Sequence, residues 1–168
     1  MKISTKLFVF AISLAGLTTS VNAQSTATAI TTATLITPIS IEWASDMNFG
    51  TIASSGIEGT VTLANDGTVT VGGGVSVPEA GITTTAASFI VKGEGTSTFS
   101  ITHPSTIDLT NGESTLTVTG ITAAQGIAGT LVLGTSTINV GGILTVPAGT
   151  LAGTYANPSG LFVTVNYN

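Results

Sequence analysis

Short runs in which apolar and polar residues strictly alternate recur along the chain, and they constrain its fold more than any other feature. Val61 and Leu63 alternate with threonines, and Val69 and Val71 do the same after the Asn-Asp-Gly sequence at 65–67. Successive side chains of a β-strand point to opposite faces, so each run predicts a strand with one buried face. An Asn-Asp-Gly sequence between two such runs predicts a β-hairpin.

The same alternation predicts further strands before and after this hairpin. Their expected inward residues are Ile39, Ile41, Trp43, Ala87, Phe89, Val91, Phe99, Ile101, Leu116, Val118, Leu131, Leu133, Ile138, Val140, Leu144, Val146, Leu161, Val163, Val165 and Tyr167. Gly, Asn and Pro separate the runs, and no window shows the period of an amphipathic helix. We therefore predict an all-β protein, a single antiparallel β-sandwich of immunoglobulin-like or pilin-like type. The glycine clusters at 72–74 and 141–142 predict bulges or tight strand connections.

Residues 1–23 have the layout of a secretory signal peptide. A positively charged start precedes an apolar run, and Val21 and Ala23 occupy the small-residue positions of a cleavage site. We expect cleavage after Ala23, leaving residues 24–36 as an N-terminal extension or first strand and residues 37–168 as the β-sandwich domain. No later segment is apolar enough to enter a membrane as a helix, so a secreted protein is expected.

Charge and cysteine content exclude several classes of function. Beyond the expected leader, Lys92 is the single basic side chain against eight acids, so the mature chain carries a net charge near −7. Binding to nucleic acid or to anionic lipid needs several cations, so neither is an expected partner. The chain has no cysteine, which excludes disulfides and thiolate chemistry.

No set of residues predicts a catalytic, cofactor or metal site. His103 is the only histidine and stands next to Pro104, so it lacks the partners of a catalytic triad or a zinc site. The acidic residues are dispersed in or near predicted turns, without the spacing of a calcium loop. We expect neither enzyme activity nor a cofactor.

Several motifs together resemble a known family. They are Ile36–Ile41, the Asn-Phe-Gly-Thr-Ile sequence within Met47–Ile52, Val140–Val146, Gly153–Tyr155 and the terminal Val-Thr-Val-Asn-Tyr sequence within Phe162–Tyr167. They look like a family of uncharacterised secreted bacterial β proteins, known as a domain of unknown function and found mainly in Gram-negative bacteria. The resemblance covers essentially the whole mature chain. It implies a β fold in the periplasm, on the outer surface or outside the cell, with no assigned activity.

More distantly, the layout resembles chaperone-usher pilins and spore-coat-like subunits, which also end in a strand with an aromatic penultimate residue, here Tyr167. We therefore expect a non-enzymatic structural or adhesive subunit of the cell surface, of fimbrial type, whose partners are copies of itself or related subunits. Two alternatives stay open. A carbohydrate-binding surface module would display aromatic side chains for stacking on sugar rings, and a small outer-membrane β-barrel would display aromatic girdles.

The two ends of the mature chain suggest how such a subunit would assemble. One face of the N-terminal segment carries Ala29, Ala33 and Leu35, and threonines dominate the other. The C-terminal run alternates likewise, and its inward residues are Leu161, Val163, Val165 and Tyr167. Exposed apolar strands invite pairing with another chain. Residues 25–36 are therefore expected either to add as a donor strand beside the terminal strand of a neighbouring subunit, or to fold back as the molecule's own first strand.

Overall fold

The computed structural model describes residues 24–78 and 83–168, and the predicted signal peptide lies outside this range. Strands are the only regular elements of the described residues. They are β1 (Ser40–Ser45), β2 (Ala53–Leu63), β3 (Val69–Ser76), β4 (Ala87–Lys92), β5 (Thr98–Thr102), β6 (Ile107–Thr110), β7 (Thr115–Ala123), β8 (Ala128–Thr130), β9 (Thr135–Val146) and β10 (Thr164–Tyr167). Residues 35–168 form one compact unit, and residues 24–34 fall outside it. The all-β prediction is confirmed.

The strands form two sheets in which every pairing is antiparallel. The larger sheet runs β1-β4-β9-β2-β3. In the same sheet, β7 pairs with β9, and β6 pairs with β7. The smaller sheet runs β10-β5-β8. Apolar residues of both sheets share one core, so the predicted antiparallel sandwich is confirmed.

The long strand β9 holds the larger sheet together. Its first half pairs with β4 over residues 135–140, and its second half pairs with β2 over residues 142–146. Between them, a Cβ on Gly141 would collide with the carbonyl oxygen of Leu63, and one on Gly142 would lie 2.9 Å from Val118 Cγ1. The two glycines therefore allow the close backbone approach that this change of partner requires, and they lie inside β9 rather than in a connection between strands.

The buried residues follow the predicted alternation through most strands. The most deeply buried side chains are Val61, Leu63, Val91, Phe99, Val118, Leu131, Ile138, Val140 and Leu144. The β2–β3 hairpin forms across Asn65-Asp66-Gly67, where Gly67 has a φ of 86° and Asp66 Oδ1 accepts a 2.9 Å hydrogen bond from the Thr68 amide. Since Thr68 donates to this carboxylate, the pKa of Asp66 is lowered.

The predicted inward position of Leu133 is wrong. Leu133 is 92% exposed and has a φ of 52°, and Gly134 follows with a φ of 80°. Val132 and Thr135 exchange backbone hydrogen bonds across this pair, which makes a two-residue hairpin turn. Turn geometry, rather than strand alternation, decides this position, and only Leu131 of the predicted pair reaches the core.

Trp43 was also predicted to be buried, and this prediction is wrong. Trp43 stands opposite Phe89 on the β1–β4 pair, yet 65% of its surface is exposed. β1 pairs only with β4 in the described residues, so Trp43 lies at a sheet edge. The inner face of β1 meets an open cleft here instead of the closed core.

Candidate assembly site

The C-terminal run that was predicted to take part in assembly forms an edge of the smaller sheet. β10 pairs with β5, from Thr164 opposite Thr102 to Tyr167 opposite Phe99. Its other edge has no strand partner among the described residues. Val165 is buried and Leu161, Val163 and Tyr167 are half-buried against the core, so all four predicted inward positions face the sandwich.

Tyr167 also joins three parts of the domain through its hydroxyl group. The hydroxyl accepts a 2.6 Å hydrogen bond from the Glu94 amide and donates a 2.8 Å bond to the Thr37 carbonyl. The Thr37 amide in turn donates a 3.0 Å bond to Glu94 Oε2. We call these three residues the clasp. It fixes both backbone polar groups of Thr37, and therefore the point at which the N-terminal segment leaves the domain.

The clasp contains an ionisable group. Hydrogen bonds from Thr37 lower the pKa of the Glu94 carboxyl, because they stabilise its charged form. The side chain is solvent-exposed, so its charge costs little desolvation. The ring of Tyr167 lies so close to Gly93 that a Cβ there would collide with the hydroxyl, which explains why a glycine precedes Glu94.

A cleft of about 1250 Å³ opens at the other end of β1. Apolar residues of the larger sheet form its floor, and Leu161 lies beside them; the floor residues include Phe89, Leu109, Leu116, Val118 and Val146. Residues 45–54 border it on one side and residues 150–158 on another, and Trp43 stands at its rim. Trp43 Nε1 donates a 3.0 Å hydrogen bond to Asp46 Oδ1, which orients the indole.

The segment at residues 150–158 is tied to β6 and to its own backbone. Ala156 and Thr110 exchange backbone hydrogen bonds of 3.1 Å, and Asn157 Nδ2 donates to the Asp108 carbonyl at 2.8 Å. Tyr155 donates a 2.8 Å bond to the Leu151 carbonyl and also contacts Ser114 Oγ. Leu151 nevertheless remains 52% exposed at the cleft.

The clasp and the cleft lie towards opposite ends of β1. Along the β1–β4 pair, Ser40 is opposite Lys92 near the clasp, whereas Ser45 is opposite Ser88 at the cleft. Thr37 and Trp43 are six positions apart, a distance of up to about 20 Å in extended chain. The N-terminal segment therefore joins the domain far from the cleft.

The predicted N-terminal assembly residues are all exposed. Ala29 and Ala33 belong to residues 24–34, which contain no regular secondary structure, and Ile30 in the same segment is 94% exposed. Leu35 begins the compact unit and is 92% exposed.

The remaining chemistry-bearing residues lie apart. His103 Nδ1 lies 3.0 Å from the Pro104 carbonyl oxygen, and Lys92 pairs with Glu42 at 2.7 Å on the exposed face of β1 and β4. Among residues 24–78 and 83–168, no group of three or more His, Asp or Glu side chains is placed to hold a metal ion. The same residues include no helix long and apolar enough to span a membrane.

The sequence did not predict the cleft, because residues 147–160 show no alternation of apolar and polar residues that would place them beside the sheet. The Pro, Gly and Ala content of this segment indicated only a loop. The available signal was its length, since a connection this long without its own strands is uncommon in a compact domain.

The described residues define an all-β sandwich with an edge strand, β10, at its C-terminus and an apolar cleft over the larger sheet. The family model for a domain of unknown function, DUF4402, matches residues 39–167, and the chain belongs to this family. The match begins at Ile39, so residues 24–38 lie outside it. Searches of curated proteins and of solved structures found no match.

Proposed function

We propose that this chain is a non-enzymatic structural or adhesive subunit of the bacterial cell surface, exported by its leader and built into fimbria-like polymers. The observation that carries the proposal is an exposed apolar segment before the domain together with an edge of β10 that no strand of the described residues pairs with. Residues 25–36 of one copy add as a strand beside residues 161–167 of the next, as in pilin-like assembly. Backbone hydrogen bonds supply affinity, and alternate side chains supply specificity.

The charge of the chain supports the same proposal. Residues 24–39 contain no charged side chain, whereas the domain is strongly acidic. An uncharged strand approaches an acidic neighbour without the repulsion that two acidic surfaces experience. Because each copy donates with one end and accepts elsewhere, the contact does not close on itself and propagates as a filament.

Two substitutions on opposite faces of the segment test this proposal. Leu35→Asp places a charge on the apolar face, and we expect it to shift the purified protein from multimers to monomers in sedimentation velocity. Thr34→Asp adds the same charge to the polar face and should leave the multimers in place. Equal behaviour of the two variants would contradict strand addition, because only one face of an added strand enters the neighbour.

Deleting Ser25–Thr34 gives a second test. The truncated protein should form no filaments in negative-stain images, and a synthetic peptide of the missing residues should bind it one to one. Filaments formed by the truncated protein would contradict donation by this segment.

One observation favours a second candidate function, a carbohydrate-binding module. Trp43 is 65% exposed at the rim of the cleft, and Asp46, which accepts its indole hydrogen bond, also lines the cleft. An exposed indole beside polar groups suits stacking on a sugar ring. A glycan array with wild type and Trp43→Ala tests this function, which requires a signal that the substitution removes.

A further inference from the structure

Export by the proposed leader makes Gln24 the first residue of the mature chain, because Ala23 ends the predicted cleavage site. We propose that Gln24 then cyclises to pyroglutamate, so that the chain begins with a neutral lactam ring instead of an α-amino group. Gln24 is thus a modification site at the start of the N-terminal segment. This inference rests on the leader cleavage in the proposed function and goes beyond it, because cleavage alone leaves the glutamine open.

The reaction needs only the two ends of this one residue. The unprotonated α-amino nitrogen attacks the side-chain carbon Cδ, and the new N–Cδ bond closes the ring. The bond between Cδ and Nε2 breaks, and Nε2 leaves as ammonia after taking up the proton that the α-amino nitrogen loses. Since α-amino groups titrate just above neutral pH, a reactive fraction is present under ordinary conditions. The reaction consumes no oxidant, reductant or second reactant.

The structure leaves Gln24 accessible for this ring closure. Gln24 is exposed, and residues 24–34 lie outside the compact unit and contain no regular secondary structure. Because neither strand pairing nor core packing holds the residue, its side chain can fold back onto its own nitrogen. Ring closure therefore breaks no element of the domain.

Gln125, the second glutamine of the chain, provides an internal contrast. Its backbone nitrogen belongs to a peptide bond, where its lone pair is delocalised, so it does not attack the side chain. Its side-chain nitrogen also donates a hydrogen bond to the carbonyl oxygen of Thr137 in β9. The two glutamines therefore differ in the feature that the reaction requires, a free α-amino group, and leader cleavage supplies it to Gln24 alone.

Cyclisation changes the charge of the N-terminal segment. Residues 24–39 contain no charged side chain, so an open N-terminus would place the only charge of this segment on the α-amino group. The lactam nitrogen is an amide and carries no charge. After cyclisation the whole segment is neutral, whereas the domain that follows it is strongly acidic.

The lactam also protects the segment from digestion that starts at its N-terminus. Aminopeptidases require a free α-amino group, and every residue from 24 to 38 is exposed. In an open chain, digestion meets no folded structure before Thr37, where the clasp holds both backbone polar groups. The residues that an open chain would lose are 24–36, which include those that the proposed function requires.

Mass spectrometry of the exported full-length product tests the modification. Wild type is expected to have the mass of residues 24–168 less one ammonia molecule. Pyroglutamyl aminopeptidase should remove residue 24 from it and expose a free N-terminus. The matched control is Gln24→Ala, which keeps a small residue after the cleavage site but has no side-chain amide. Its mature chain should have the full mass and should resist pyroglutamyl aminopeptidase.

The outcomes separate this inference from the proposed export. A wild type that starts at Gln24 and keeps its full mass after incubation at neutral pH overturns cyclisation and leaves the leader standing. A product that retains the leader, with Met1 or Lys2 at its start, overturns both. A product that starts at any other residue overturns Gln24 as the site.

A second readout treats the folded proteins with an aminopeptidase of broad specificity, at a concentration low enough to keep the chains monomeric. Wild type should keep residues 24–36, whereas Gln24→Ala should be shortened towards Thr37 within the same time. Equal shortening of the two proteins would show an open N-terminus in wild type and would overturn the inference. Equal resistance would overturn the protective effect of the lactam. Neither readout depends on assembly, so a failure of strand addition leaves both tests intact.

Discussion

The two ends of β1 differ in how the sandwich is closed around them. At the clasp, the edges of the two sheets are held together by hydrogen bonds among Thr37, Glu94 and Tyr167. At the cleft, residues 45–54 and 150–158 border apolar residues of the larger sheet, and Trp43 and Leu151 remain more than half exposed. The comparison shows that a sandwich of low charge closes one end with a few polar contacts and leaves large apolar side chains exposed at the rim of the other.

The largest expected effect compares two phenylalanines near these ends. Phe99 is fully buried opposite Tyr167, whereas Phe89 is half-buried at the cleft. Phe99→Ala should lower the free energy of unfolding by about 3–5 kcal/mol, the range for large cavities in a core. Phe89→Ala should cost less than about half of that, because part of its surface is already in water. Urea denaturation of both variants measures the difference, and equal losses would show that the cleft end is closed.

The two tyrosines of the chain allow the clasp and the cleft to be compared by removing one hydroxyl group at each. Tyr167→Phe removes two hydrogen bonds of the clasp, and Tyr155→Phe removes the bond to the Leu151 carbonyl at the cleft wall and the contact with Ser114 Oγ. Each hydroxyl makes two contacts, so each change should cost about 1–2 kcal/mol at the usual net value of roughly 1 kcal/mol per hydrogen bond.

Amide hydrogen exchange locates these two effects. Tyr167→Phe should accelerate exchange at Thr37 and Glu94, and Tyr155→Phe should accelerate it around residues 150–156. Faster exchange at the cleft wall in the Tyr167 variant, with Thr37 unchanged, would break the division of the domain into a closed end and an open end.

The clasp should also respond to acid. The pKa of Glu94 in the folded state lies below its ordinary value of 4.5 because Thr37 hydrogen bonds favour the carboxylate. Its contribution is therefore fully present above that ordinary pKa and is lost as the pH falls through the lower, folded value. Amide chemical shifts of Thr37 should move in this acidic window. Glu94→Gln should remove that titration, and a Thr37 amide that titrates equally in the variant would exclude Glu94 as the cause.

The smallest effects are expected away from both ends. Lys92 and Glu42 form an exposed ion pair at 2.7 Å, and such pairs contribute about 0–1 kcal/mol. Lys92→Ala and His103→Ala should therefore leave thermal unfolding and assembly nearly unchanged. A large loss in either variant would reveal a function for residues that lie outside the clasp and the cleft.

The sequence predicted the strands more successfully than the site, for physical reasons. Alternation reports which side of a strand is buried, so residues such as Val118 and Ile138 were placed correctly. It does not report whether a neighbour closes over that side, which is why Trp43 was expected in the core. At Leu133, a two-residue turn replaced the strand that the pattern indicated.

The clasp was beyond sequence reasoning because its members are far apart in the chain. Thr37 and Tyr167 are 130 residues apart, and only the fold brings them together. Tyr167 was predicted as an inward, assembly-related residue from its alternation with Asn166. Its hydroxyl contacts depend on the β5–β10 register and on the space left by Gly93, which no local pattern encodes.

Hydrogen exchange of residues 25–36 as a function of protein concentration tests the central claim most directly. Donation between copies predicts that these amides exchange at nearly free rates in dilute monomer and become protected as multimers form, because their backbone hydrogen bonds are made with a neighbour. Protection of the same amides in a dilute monomer, unchanged on concentration, would show that the segment is the molecule's own strand and would contradict assembly by strand donation.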